Sequence, residues 1–292
     1  MVRRIFKAIK NNLIYFFVIL LLYLFRFIPL FLMRLKLKSI ALLAYYLPTK
    51  ENRIAKLNLA QFFDEKTSEE IRKDMYLNWA RSIEEIMRVV LRGEDINRFV
   101  SMSKKSREIL DTELKRNRGV IFFTAHMGNW ELMAVYLAKC GYDINTIAKE
   151  SYDRRFTELI RRSRERSGVK CVFRNEENVS ERINTILKNN GVMGFLIDQN
   201  TKVLSVDVNF IGRLAPTPIV PVRIMRRVDT PSVVGFVHRE GGMNIVEVTR
   251  LEYSPDEDEK TTLERINGIL SDAIMKYPSE WIWIHNRWKI SC

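Results

Sequence analysis

The stretch Gly119 to Ala138 constrains this chain most, because its period changes halfway along. Val120 to Ala125 is a short apolar run behind a glycine, the pattern of a buried strand, whereas Glu131 to Cys140 carries apolar residues at helical spacing. His126 therefore falls in the turn between a strand and a helix. On one continuous helix, residues five apart point roughly 140° away from each other. With Gly128 opening a tight turn and Asn129 as N-cap, Glu131 instead enters the first turn of the helix, beside the imidazole. The helix N-terminus favours an ionised carboxylate there. A carboxylate that accepts from one imidazole nitrogen fixes the tautomer and leaves the other nitrogen free to take a proton from a hydroxyl. Read this way, His126 and Glu131 form a general-base dyad with no nucleophile of its own. The competing reading of His126 is a hydrogen-bonded structural residue at a strand end.

Alternation of strand and helix patterns continues on both sides. Amphipathic helices are expected over Asn52 to Phe63 and over Thr67 to Leu91, the second opened by a Thr67-Ser-Glu-Glu capping box, with another at about 104–115. Strands follow at Ile144 to Ala148, Val169 to Phe173 and Val192 to Ile197, separated by helices at Asp153 to Arg166 and Asn178 to Asn189. The last strand ends on Asp198-Gln199, and polar residues at the carboxyl end of a buried strand are where open α/β sheets place ligand contacts. The alternative for Asp198 is a turn cap. Pro216 and Pro218 suggest a turn into a helix over Ile219 to Arg227. A hairpin at Ser232 to His238 and Asn244 to Thr249, and a helix from about 261 to 276, complete the pattern. The fold class expected is α/β, with a mixed, largely parallel central sheet flanked by helices.

Charge is unevenly spread over the 292 residues, whose net charge is +13. Residues 1–56 hold eleven Lys or Arg against the single acid Glu51, a net of +10, and the rest of the chain contributes only +3. A basic segment interleaved with Phe, Leu and Ile suits an anionic membrane surface, at about 1 kcal/mol per basic residue. Nucleic acid would explain the basicity but not the adjoining apolar run, so no nucleic-acid partner is expected. That run, residues 13–33, just reaches the length of a membrane span, but Arg26 and Pro29 interrupt it and basic residues flank both ends. These features favour an N-terminal hydrophobic membrane-anchoring helix that inserts shallowly, with a single span as the alternative. The domain division expected is an interfacial segment over 1–46 and a catalytic domain over 47–292. Cys140, Cys171 and Cys292 are odd in number and widely spaced, which indicates neither a disulfide framework nor a zinc site, and no metal is expected.

The segment His126-Met-Gly-Asn-Trp-Glu131 resembles the His-x4-Asp/Glu motif of the bacterial lipid A biosynthesis acyltransferases of the lauroyl/myristoyl type. Asn52 to Leu59, Asp198-Gln199, Asn209 to Thr217 and Trp283 to Lys289 are similar to stretches of the same family in the same order. The resemblance implies a glycerol-3-phosphate acyltransferase-like fold and transfer of a fatty acyl chain from an acyl carrier protein thioester, or acyl-CoA, to a hydroxyl of a phosphorylated membrane glycolipid, the lipid A precursor, in a late acylation. It implies no further cofactor, and a location on the cytoplasmic face of the bacterial inner membrane. His126 would be the base and Glu131 its orienting partner, with Asn129, Lys149, Asp198, Gln199 and Thr217 among the substrate contacts. The helix at 153–166 carries six arginines; those at Arg164 and Arg166 match the family's expected headgroup-phosphate contacts, and guanidinium forks suit phosphate oxygens. The alternatives are a solvated helix face, a different lipid acceptor such as a phosphatidylinositol mannoside or lysophospholipid, and a basic membrane adaptor without activity.

Overall fold

The computed structural model describes residues 2–254 and 256–289, with side chains from residue 11 onward. The side chains of Arg3, Arg4, Lys7 and Lys10, and all of Cys292, lie outside the described residues.

The apolar strands pair into one seven-stranded sheet. At its centre is β2 (Val120–Thr124), every residue of which is buried. On one side β2 pairs in parallel with β5 (Val192–Leu196), then come β3 (Ile144–Ala148) and β4 (Lys170–Phe173), also parallel. On the other side lies β8 (Ser232–Glu240), parallel to β2, followed by β9 (Met243–Arg250), antiparallel to β8, and at the edge β1 (Val100–Met102), parallel to β9. The order β1-β9-β8-β2-β5-β3-β4 is therefore mixed but mostly parallel. Helices α6 (Trp130–Lys139), α7 (Arg154–Arg166) and α8 (Val179–Lys188) make the crossovers that parallel strands require.

Two expected elements differ. Helix α4 (Glu65–Arg92) starts two residues before the Thr67 box, because Asp64 is the N-cap and accepts from the Thr67 N–H at 3.0 Å and its hydroxyl at 2.6 Å. Asn209 to Thr217 is not a turn leading to a helix but most of a two-stranded hairpin, β6 (Ser205–Phe210) with β7 (Arg213–Pro218). Ile211 and Gly212, both at positive φ, form its turn. Helix α9 (Val220–Arg227) follows only after β7.

The N-terminal apolar run is also divided. It forms α1 (Val2–Phe27) and α2 (Leu30–Tyr46), broken at Pro29, and among the described residues no helix is long and apolar enough to cross a membrane. The apolar run expected as one helix is therefore two helices, and no membrane span is found among the described residues. Helix α2 packs on α4 and buries Met33, Leu37 and Ala41 in the core shared with β2 and β5. Its last turn is closed by Asn52 in α3 (Lys50–Leu59), whose amide donates to the carbonyls of Ala44 (2.6 Å), Tyr45 (3.0 Å) and Leu47 (2.7 Å). Asn58 of α3 donates to the carbonyls of Trp283 and His285, at 2.7 and 2.8 Å, and so ties down the aromatic C-terminal segment after α10 (Glu259–Lys276). The 52–59 motif is thus a clamp between the two chain ends.

Candidate functional site

Sheet register assembles the site. Thr124 of β2 is level with Leu196 of β5, so two residues further on His126 and Asp198 leave adjacent parallel strands opposite each other. Asp198 is completely buried, and its Oδ1 lies 2.8 Å from His126 Nδ1. Its Oδ2 accepts from the His126 backbone N–H (2.9 Å) and from Trp281 Nε1 (2.7 Å). Burial alone would raise the carboxyl pKa; the imidazole beside it and these three hydrogen bonds prevail and lower it to about 2. The group's folded value lies below its unfolded one, so its stabilising effect is complete above the ordinary carboxylate range and is lost only as pH falls towards 2. At any working pH Asp198 is ionised and fixes the Nδ1–H tautomer. His126 Nε2 then carries the lone pair, and it has no partner among the described residues.

The turn holding His126 is pinned from several sides. Gly128 sits at φ +58°, and a Cβ there would lie 2.2 Å from the Val237 carbonyl oxygen, so only glycine fits. Its N–H donates to the Glu280 carbonyl, while Met127 bridges to Trp281. Asn129 caps α6 by accepting from the Leu132 N–H, and its amide donates to the Ser82 carbonyl (3.2 Å) and to Glu85 Oε2 (3.0 Å). Glu85, on α4, is in turn held by both arms of Arg239 and by Asn244. Trp130 packs edge-on against the imidazole, with ring centroids 5.2 Å apart.

Glu131 does lie in the first turn of α6, but its carboxylate takes two hydrogen bonds from Arg164 of α7, with no hydrogen bond or ion pair to His126. Asp198, expected among the substrate contacts, occupies the orienting position instead. The Arg164 guanidinium is partly desolvated, which opposes its charge, yet Glu131 outweighs burial and pushes its pKa up. Asn129 is 1% exposed and faces α4, so it positions the turn rather than lining the cavity. Thr217 is fully buried: its hydroxyl accepts from Asn267 and Arg287, which locks the β6–β7 hairpin to α10 and the C-terminal segment, and it is not among the walls of the His126 cavity. Arg166 is exposed at the end of α7 and outside the His126 cavity, whereas Lys149 and Gln199 do line it.

That cavity, about 420 Å³, has His126, Glu131 and Arg164 among its walls and runs down between α6 and the sheet past Phe122, Leu137, Val169 and Val192. Its size falls within the ~300–1,000 Å³ of small-ligand sites, and its inner end is hydrocarbon. An imidazole with a free lone pair thus stands among the walls of an apolar slot.

Compared with known proteins, residues 4–290 match the model of a family described as bacterial lipid A biosynthesis acyltransferase. Among curated proteins none is similar enough to the chain to match.

Proposed function

The chain belongs to the bacterial lipid A biosynthesis acyltransferases, enzymes that move acyl groups onto lipid A-type acceptors, and we propose that it carries out a late acylation with His126 as general base and Asp198 as its orienting carboxylate. The observation that carries this reading is the His126–Asp198 contact beside an apolar cavity. Nε2 removes the proton from an acceptor hydroxyl; the oxygen attacks the thioester carbonyl; the C–S bond breaks; and the leaving thiolate takes the proton back from the imidazolium. No acyl-enzyme forms. The cavity takes the donor's hydrocarbon chain, and acyl carrier protein is the donor we favour, since its acidic surface suits the exposed basic side chains of Lys149 and Arg174 among the cavity walls. Glu131 acts through Arg164, holding the guanidinium near the transfer site, where it meets negative charge on the acceptor or on the developing oxyanion.

The test is direct. Purified protein, given an acyl-carrier thioester and an acylated glucosamine phosphate in detergent, should yield one added acyl chain by mass, with free carrier thiol in equal amount. Transfer from acyl-CoA but not from the carrier would sink the donor assignment, and accumulation of an acylated protein would sink the direct attack.

A membrane-surface location rests on α1 and α2. Phe16, Phe17 and Leu20 on α1, and Phe31, Leu35 and Leu43 on α2, are each more than half exposed, and large apolar side chains exposed in groups mark interaction surfaces. We place this face in the lipid interface, with the catalytic domain on the cytoplasmic side. High salt should then fail to strip the protein from anionic vesicles, because screening weakens charge attraction but not apolar burial. Phe16→Ser/Phe17→Ser/Leu20→Ser should make it salt-extractable in a flotation assay, and binding unaltered by that triple change would refute the placement. Deletion of α1 is a poorer test, since Leu21 and Phe25 pack on the core.

A further inference from the structure

The corner between α2 and α3 holds a groove of about 900 Å³ that shares no wall residue with the His126 cavity. Among the described residues its charged walls are Lys50, Arg53, Lys56 and Arg72 against the single acid Glu69. The floor is built. Arg72 of α4 is 4% exposed and donates to the Tyr45 carbonyl (2.9 Å), Asn52 Oδ1 (2.8 Å) and Glu69 (2.5 Å), with its guanidinium 4.0 Å over the Tyr45 ring. Its buried Nε keeps an unfilled donor. Carbonyls at the end of a helix repel anions, but here the Asn52 amide already fills those of Ala44, Tyr45 and Leu47. Glu69 is engaged as well, by the Tyr45 hydroxyl at 2.8 Å, by Arg72, and by Lys56 at 3.3 Å. Lys50 and Arg53 are exposed neighbours on α3, three residues apart, and form no ion pair among the described residues.

We propose that this groove holds the headgroup of one anionic phospholipid, with its phosphate between Lys50 and Arg53 and its acyl chains running out beside Tyr46 and Leu47 into the bilayer. The site is separate from the transfer reaction and rests only on the placement of α2 at the membrane. Position supports it first. Tyr46 comes eleven residues after Leu35, about three helical turns, so it continues the same exposed face of α2. It is 73% exposed and Leu47 44%, and a tyrosine ring suits the boundary between hydrocarbon and headgroups. Lys50 and Arg53 follow within two turns, at the level where lipid phosphates lie. Charge supports it next. A zwitterionic lipid brings its own ammonium into a cationic groove, whereas an anionic one brings only the phosphate, and free phosphate would leave Tyr46 and Leu47 uncovered. The grip also reaches the rest of the fold, because Asn58 at the far end of α3 holds the carbonyls of Trp283 and His285. A lipid seated here fixes how the catalytic domain stands on the membrane.

The experiment uses the full chain with vesicles of phosphatidylcholine, with and without phosphatidylglycerol, and with monomeric short-chain forms of both lipids. Calorimetry should show saturable binding of one short-chain phosphatidylglycerol per chain, roughly tenfold or more tighter than phosphatidylcholine, and its loss in Lys50→Gln/Arg53→Gln. In flotation that pair should weaken binding to phosphatidylglycerol vesicles by roughly tenfold, the scale of two basic side chains at an anionic surface, and leave phosphatidylcholine vesicles within about twofold. Lys36→Gln/Lys38→Gln removes the same charge from α2 outside the groove and should cost less than about threefold. Equal losses for the two pairs overturn the proposal in favour of diffuse attraction, and no loss for either overturns it outright. Inorganic phosphate bound as tightly as the short-chain lipid overturns the lipid assignment. Both changed side chains are exposed, so the melting temperature should hold; Lys50→Gln alone carries the test if the pair misfolds. Short-chain binding needs no bilayer, so its failure and a failure of the membrane placement are read separately.

Discussion

Asp198→Asn should lower kcat by roughly 10³- to 10⁴-fold and leave both KM values within a few-fold. The reason is hydrogen-bond bookkeeping at one carboxylate. Oδ2 faces two donors, the His126 backbone N–H and Trp281 Nε1, so an asparagine must put its carbonyl oxygen there. Its NH2 then takes the place of Oδ1 and faces His126 Nδ1, 2.8 Å away. An amide proton pointed at Nδ1 makes that nitrogen an acceptor and moves the ring proton to Nε2. The base then has its proton where its lone pair should be. Size and buried volume barely change, so the fold should persist. His126→Ala, which removes the proposed base altogether, should cost about 10²–10⁴-fold. Glu131→Gln separates the two carboxylates, because Glu131 does not touch the ring: imidazole 15N shifts should report the Nδ1–H tautomer in wild type and Glu131→Gln and the Nε2–H tautomer in Asp198→Asn. Activity of Asp198→Asn within tenfold of wild type would remove Asp198 from the mechanism.

This contrast shows where sequence reading stopped. Spacing placed His126 in the strand-to-helix turn and Glu131 in the first helical turn, and both positions are correct. Proximity in sequence then favoured Glu131 as the partner. What decides the partner is the pairing of β2 with β5, a contact across 72 residues. No local pattern encodes that pairing, although two apolar strands that each end on a polar residue were legible. The same limit explains Thr217, which sits in a family-like stretch but serves the hairpin's attachment to Arg287, and Asn129, whose amide is turned towards Glu85.

Elements with a strong period were legible nearly to the residue: β3 (Ile144–Ala148), α5 (Lys104–Leu114) and α10 all lie within two residues of the expected ranges. The misses have physical causes. The β6–β7 hairpin carries two prolines in one strand, which argues against a strand unless, as here, the sheet has only two strands and the lost donors have no neighbour to pair with. The N-terminal run has the composition of a membrane helix, yet Pro29 splits it and α4 supplies a partner that buries one face of α2.

Arg239→Met should destabilise the protein by about 3–5 kcal/mol, the cost of leaving a buried carboxylate without its counter-charge. Glu85 and Arg239 are 7% and 6% exposed, and the guanidinium grips the carboxylate through both terminal nitrogens, at 2.5 and 3.1 Å. At roughly 2–4 °C per kcal/mol for a domain of this size, the melting temperature should fall by about 6–20 °C. Adding Glu85→Gln should recover a large part of that loss, because the neutral amide removes the stranded charge while its oxygen still accepts from Asn129 or Asn244. Activity should fall beyond the loss of folded protein in the single variant, since Glu85 holds Asn129, and Asn129 starts the helix that follows His126. A thermal melt of Arg239→Met within about 2 °C of wild type would show that the pair contributes nothing to the fold. A double variant less stable than the single one would show that the Glu85 charge is needed by Asn129 and Asn244 rather than by Arg239.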